Sequence, residues 1–463
     1  MEAASAALTS SDLRREQTVD GHPADKEDSE DEWEDLTYYA DGMTLGGFTI
    51  LNGPVSPPPP GPPIRNYLRR DVDPEPPKTS EKVKSRLTHF MHKVQYRWRL
   101  NIESSFSKKK AIFLLSKCYD CRLAKEEGGQ AAVQQTLSEF KQDFTSRIWI
   151  TYREGFHRIS GSLLTSDSGW GCMVRAAQMI LAQAMVVHFL GRDWNMFGEQ
   201  SDFSRIMHKE IIRWFGDQPV QTSPFSLHRL VAIAKSIDRK PGDWYGPACV
   251  AGLLAKASQI ASDFVPVLNE VCVYVGYDGA IYKQDVIDLA TGVTTDQSPL
   301  STLQSSNPEW KAVVILIPLA LGFDDSICPT VIPCLKALFA LDNFLGIIGG
   351  TPRHALYLIG FQGDNAIYLD PHFMQETVDI SKREFPVLTY HSVFPRKVAF
   401  TKLESSCALG FYCRTREDFQ NFQAKVNPLL YPADGEHKHP IFQVYEGSRM
   451  EQYAARTTEK DFS

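Results

Sequence analysis

Along the chain, stretches with an apolar residue every three or four positions alternate with short runs apolar throughout. Val83, Leu87, Phe90, Met91, Val94 and Trp98 recur at helical spacing, with Lys84, Arg86, Lys93 and Arg97 between them. This predicts a basic amphipathic helix, whose apolar face more often packs on a core than on a membrane. Helical patterning returns over residues 173–190 and 204–215, while Val271–Val275, Val313–Ile317 and Ala355–Phe361 read as strands. The longest apolar run, Ala312–Phe323, covers 12 residues and contains Pro318, too short to cross a bilayer. No repeat is visible, and no gap marks a second domain between residues 81 and 447. The mixture predicts one large α/β or α+β domain there, big enough to carry an insertion.

The flanks differ in character. Residues 1–80 combine an acidic stretch with the run Pro57-Pro58-Pro59-Pro60-Gly61-Pro62-Pro63 and are expected to be disordered. The polar tail, residues 448–463, is expected to fray.

Composition sharpens this picture in two ways. The 463 residues are 43% hydrophobic, enough for a substantial core, and carry a formal net charge of −7. Residues 1–42 hold 13 acidic and 3 basic side chains, a balance of −10, so the remainder sums to +3. A generally basic nucleic-acid binder is excluded. The nine cysteines are odd in number and scattered, which argues against a disulfide framework. With no secretory signal at the N-terminus, the expectation is a soluble, cytoplasmic chain with free thiols.

One cysteine stands apart. In Asp167-Ser168-Gly169-Trp170-Gly171-Cys172-Met173, glycines bracket a tryptophan just before a cysteine, and the apolar stripe Met173, Ala177, Ile180, Leu181, Ala184, Met185 follows. This reads as a tight turn opening a helix with Cys172 in its first turn. Free backbone N–H groups there favour a thiolate and can hold a developing oxyanion. The competing reading is a buried core cysteine, the usual fate of a free thiol. Cys118-Tyr119-Asp120-Cys121 has metal-ligand spacing but no second pair at zinc-site distance.

A nucleophilic cysteine needs a base and an orienting group. His354 opens one strand, and the next ends in Leu369-Asp370-Pro371-His372, with the turn-forming Gln362-Gly363-Asp364-Asn365 between them. If Phe361 pairs with Ala366, Ala355 faces His372, so Asp370 and His372 share one face and His354 points to the other. A bulge would overturn that register. Parity therefore favours Asp370 with His372, leaving His354 with Asp370 as the alternative.

These segments resemble the autophagin family of cysteine proteases. The likeness rests on Asp167–Cys172, Arg147-Ile148-Trp149-Ile150-Thr151-Tyr152-Arg153, Trp244-Tyr245-Gly246-Pro247, Gly349-Gly350-Thr351-Pro352-Arg353 and Leu369–His372, and extends in order from about Val83 to Glu446. The resemblance implies a papain-like α+β fold with a family-specific insertion, no cofactor and no metal. It implies an endopeptidase that cuts ubiquitin-like autophagy modifiers after a C-terminal glycine and releases them from phosphatidylethanolamine, touching membranes only through that lipidated substrate.

Carried over by position, Cys172 is the nucleophile, His372 the base, Asp370 the orienter and Tyr152 the oxyanion donor. Trp244 would cover the cleft, and the loop containing Gly349, Gly350 and Pro352 would move aside for the substrate tail. Ser168 and Thr351 depart from residues found in some relatives. In the acidic stretch, Trp33 and Leu36 stand three apart after Ser29-Glu30-Asp31-Glu32, resembling a motif that adds a strand to a modifier's sheet edge. The alternatives are a catalytically weak adaptor acting through Trp33 and Leu36, a thiol acyltransferase and a ubiquitin-directed thiol protease.

Overall fold

The structure is a computed structural model that describes residues 106–293, 309–322, 325–351, 354–431 and 440–460. The basic helix expected over Val83–Trp98, the acidic stretch with Trp33 and Leu36, and Pro352 and Arg353 lie outside these residues.

Thirteen strands occur among the described residues: β1 (Ile112–Leu114), β2 (Lys117–Tyr119), β3 (Tyr152–Glu154), β4 (Val271–Val275), β5 (Ala280–Tyr282), β6 (Ala312–Ala320), β7 (Phe344–Thr351), β8 (His354–Gln362), β9 (Asn365–Leu369), β10 (Met374–Glu376), β11 (Arg396–Ala399), β12 (Ser406–Cys413) and β13 (Gln443–Tyr445). The helices are α1 (Cys121–Ser146), α2 (Cys172–Phe189), α3 (Asp202–Trp214), α4 (Leu227–Ala234), α5 (Pro247–Ala261), α6 (Lys283–Thr291), α7 (Ile332–Leu338), α8 (Arg416–Leu430) and α9 (Arg449–Lys460). The three expected strands and two expected helices are all present, their ends within three residues of those expected. In the tail, the structure places helix α9 where fraying was expected, with Arg449 N–H near the Asp285 carboxylate.

The main sheet runs β11-β9-β8-β7-β12-β6-β4, with β1 and β2 joined through β8. Only β4 and β6 pair in parallel; the other neighbours are antiparallel. Alternation along β6 explains its unbroken apolar run. Val314 and Leu316 enter one core with α2 and α5, while Val313, Ile315 and Ile317 enter a second with α6, α7 and α8. Helices thus cover both faces, and the strand is buried from Ala312 to Pro318.

Helix α2 occupies the first core and is apolar nearly all round, the pattern of a buried helix. Its length and composition would suffice to cross a membrane, but it lies buried inside the fold. Gly410 on β12 permits its close approach, because a Cβ there would stand 2.5 Å from Ile180.

Candidate active site

Cys172 is the first residue of α2, as the turn signal predicted. Two glycines shape that turn for different reasons. Gly169 adopts φ +84°, a left-handed conformation costly for other residues. At Gly171 the backbone is ordinary, but a Cβ would lie 2.3 Å from Asp167 Oδ2.

Asp167 ties the turn to its neighbours. Its Oδ1 accepts from Arg153 N–H at 2.8 Å and its Oδ2 from Arg175 Nε at 2.7 Å, while Arg175 also donates to Asp217 at 2.8 Å. All three charged side chains are buried. Burial opposes charge on the guanidinium, but Asp167 and Asp217 outweigh it and hold Arg175 protonated. Arg175 and Asp217 were missed in the sequence. Arg175 carried a signal, a cation inside an apolar helical stretch; Asp217 carried none.

The Cys172 thiol is 1% exposed. It contacts Ala355 N–H, the Tyr152 hydroxyl and Met173 N–H, all of which favour the thiolate, yet burial is the larger influence and pushes the thiol up. The donors expected of a helix terminus are present, but in the resting chain desolvation outweighs them.

Asp370 and His372 form the closest acid–imidazole pair. Asp370 Oδ1 lies 2.7 Å from His372 Nδ1 and also accepts from the His372 backbone N–H at 3.1 Å. Trp149 Nε1 donates to the Asp370 carbonyl at 2.6 Å, and Arg396 approaches Oδ2 at 3.6 Å. Burial opposes ionisation of Asp370, but hydrogen bonds from His354 and His372 outweigh it and hold the carboxyl well below its usual range.

His354 corrects the parity expectation. Phe361 does pair with Ala366, but the register shifts between Leu358 and Gly360, so Tyr357 faces Leu369. Ile359 is the extra residue, and its carbonyl accepts from Leu115 N–H at 3.0 Å. Continued to the strand ends, the shifted register sets His354, not Ala355, opposite His372. Their rings stack at 3.4 Å with 8° between planes, and His354 Nε2 stands 3.8 Å from Asp370 Oδ1. His372 is the nearer imidazole to Asp370, 2.7 Å against 3.8 Å, but His354 lies on the same side of the hairpin and not on the opposite face.

Tyr152 reaches the site from β3, which pairs in parallel with β10 just beyond His372. Its N–H donates to the Pro371 carbonyl at 2.8 Å, and its ring lies edge-on to His372 at 5.2 Å. Burial and the adjacent Cys172 raise its phenol, so the hydroxyl stays a donor. Tyr152 therefore touches both thiol and imidazole and gathers them into one cluster.

Gly349 and Gly350 correct the loop expectation. They are strand residues of β7, opposite Leu356 and Ala355. At Gly350 a Cβ would fall 2.1 Å from the His354 carbonyl, so glycine permits tight pairing there. Trp244 is 42% exposed on the segment leading to α5, and its neighbour Tyr245 lies near Trp170, 6.3 Å between rings.

His354, Asp370 and His372 bring possible ligand atoms within 4.8 Å of one another. A metal binds imidazole nitrogen in the ring plane, and two parallel stacked rings share no plane, so this arrangement suits hydrogen bonding. Cys118 is exposed and Cys121 buried, both free. A cavity of about 500 Å³ lined by Pro247, Tyr277, Pro318, Cys407 and Phe442 includes none of the cluster.

Residues 137–425 match the peptidase C54 catalytic domain. The chain is 34% identical to cysteine protease ATG4D of Xenopus laevis over 411 residues, 80% of this chain and 83% of that protein. It is 34% identical to cysteine protease ATG4C of Homo sapiens over 442 residues, 82% and 93% of the two chains. To cysteine protease ATG4B of Oryza sativa subsp. indica it is 35% identical over 365 residues, 75% and 72% respectively.

Proposed function

The chain belongs to the peptidase C54 family of cysteine proteases, with a papain-like α+β catalytic domain, and on that premise we propose that Cys172, His372 and Asp370 are its catalytic set, with Tyr152 as oxyanion donor. The observation that carries the assignment is convergence. A helix-terminal thiol, a carboxylate-bound imidazole and a phenol touching both meet in one buried cluster.

The substrate is a ubiquitin-like autophagy modifier, cut after its C-terminal glycine, both as precursor and as phosphatidylethanolamine conjugate, in the cytoplasm. Proton transfer from Cys172 to His372 leaves a thiolate beside an imidazolium that Asp370 stabilises. The thiolate attacks the glycine carbonyl, and Tyr152 turns its hydroxyl from sulfur to the oxyanion, joined by the Cys172 amide. His372 gives its proton to the leaving amine, leaving a thioester. Water attacks that thioester as His372 takes its proton, freeing the glycine carboxylate and restoring the thiol. Trp244 borders the entry of the glycine tail. Trp33 and Leu36 add a second, non-catalytic contact with the modifier's sheet edge.

The test is cleavage of a modifier fused through its terminal glycine to a reporter protein, and of the lipid conjugate on vesicles. Wild type is expected to cut both, Cys172→Ala and His372→Ala neither, with each variant folded by thermal melt. Replacing Trp33 and Leu36 by alanine is expected to raise KM and leave kcat in place. A folded Cys172→Ala that still cleaves overturns the catalytic assignment; a wild type that ignores glycine-terminated modifiers overturns the substrate.

A further inference from the structure

No step above uses His354, yet its imidazole is built into the cluster. It lies flat on His372, 3.4 Å between centroids and 8° between planes. Both rings address one oxygen, Asp370 Oδ1, His372 at 2.7 Å and His354 at 3.8 Å. The two differ in access to water. The His354 side chain is 26% exposed and that of His372 only 4%. Around the pair, among the described residues, stand Asp370 and His372 after β9, Arg396 of β11 at 3.6 Å from Asp370 Oδ2, Tyr152 of β3 edge-on to His372, and Cys172 of α2 against Ala355 N–H.

The two protonation states of this outer ring act in opposite directions. A neutral His354 is a flat wall that limits tilting of His372 while its Nδ1 holds Asp370. A protonated His354 sets a full positive charge against the ring that must itself become imidazolium when Cys172 gives up its proton. Like charges at that separation disfavour the second protonation. The protonated ring also draws on Asp370 Oδ1, the oxygen that stabilises the His372 imidazolium.

We propose that His354 is a positioning residue that, when neutral, holds His372 for proton transfer and, when protonated, blocks formation of the thiolate–imidazolium pair, so that it sets the acid limit of the protease. This rests on the assignment of Cys172, His372 and Asp370 as the catalytic set.

Two substitutions separate the two effects. His354→Phe keeps a flat ring without a titrating nitrogen, and His354→Ala removes both. The readout is kcat/KM for the reporter fusion from about pH 5 to 8, each profile scaled to its own plateau, with a melt at every pH. In both variants the acid limb is expected to move down by about half a pH unit or more. Before scaling, the plateau of kcat/KM is expected to fall about tenfold in His354→Ala, and His354→Phe to recover most of it. If either variant is unfolded, His354→Gln replaces it, with the same expected movement of the limb.

An acid limb unmoved in every folded variant overturns the proposal. A plateau loss in His354→Ala that His354→Phe does not restore overturns the stacking half. Cys172→Ala is run alongside: if it cleaves, the catalytic assignment has failed. If it is inactive while the His354 variants keep the wild-type limb, this inference alone has failed.

Discussion

Tyr152 does two jobs with one hydroxyl. In the resting chain the group sits on the Cys172 sulfur, and burial keeps it protonated. During attack the same proton can follow the negative charge from sulfur to oxygen. Tyr152→Phe keeps the ring against His372 and removes only this donor. Its expected effect is a loss of about 10²–10³ in kcat with little change in KM. Steady-state cleavage of the reporter fusion reads this out, and a kcat within threefold of wild type would remove Tyr152 from the mechanism. The tyrosine was legible only by resemblance, because its own surroundings in the sequence read as an ordinary core position. Arg175 is the reverse case, visible as an anomaly in an apolar helix but without a role until Asp167 and Asp217 are placed around it.

At the scale of elements, one extra residue decides the face presented by a whole strand end. The β8–β9 hairpin, its turn and its first pair are readable from patterning, but the bulge at Ile359 is not, since an apolar residue there fits either register. The bulge is set from outside the hairpin, where Leu115 beside β1 takes the Ile359 carbonyl. A second element joint makes a pH prediction. His208 of α3 and His391 meet Nε2 to Nε2 at 3.0 Å, and His391 Nδ1 donates to the Thr145 carbonyl at 2.8 Å. With His391 neutral and its proton on Nδ1, its Nε2 accepts and His208 Nε2 donates. Burial pushes both imidazoles down.

The sign follows from linkage. Below the unfolded value near 6.5 the unfolded chain binds protons that the folded pair refuses, so stability falls as pH falls. Removing one such proton in His208→Gln is expected to flatten this slope by up to about 1.4 kcal/mol per pH unit. Urea unfolding at about pH 7 and 5 measures it. Equal slopes in wild type and variant would mean that the pair takes up protons while folded.

For the molecule as a whole, the sheet is a floor between two cores, and the site forms where strand ends, α2 and β3 converge. The buried Asp167–Arg175–Asp217 cluster links the nucleophile turn to the segment after α3. Arg175→Met would fill the volume but leave two carboxylates buried without their cation. A loss of about 3–5 kcal/mol in stability is expected, read by denaturant unfolding. Adding Asp167→Asn and Asp217→Asn to Arg175→Met should recover part of it, because neutral amides cost less to bury. Failure of that rescue would make the defect one of packing instead.

The sequence by itself determined the strands around Val271–Val275, Val313–Ile317 and Ala355–Phe361 and the helices around residues 173–190 and 204–215, that Cys172 opens a helix, and that Asp370 and His372 lie two apart at a strand end. Each is a local property, set by periodicity, turn residues and spacing along one stretch of chain. Tertiary structure alone decided that His354 stacks on His372, that Gly349 and Gly350 are paired strand residues, that burial outweighs the helix terminus at Cys172, and that Arg175 is clamped between two carboxylates. These depend on which segments the fold brings together, whether five residues apart, as Gly350 and Ala355 are, or 42, as Arg175 and Asp217 are. Such contacts shift register, remove water and pair charges without leaving a periodic trace in the chain.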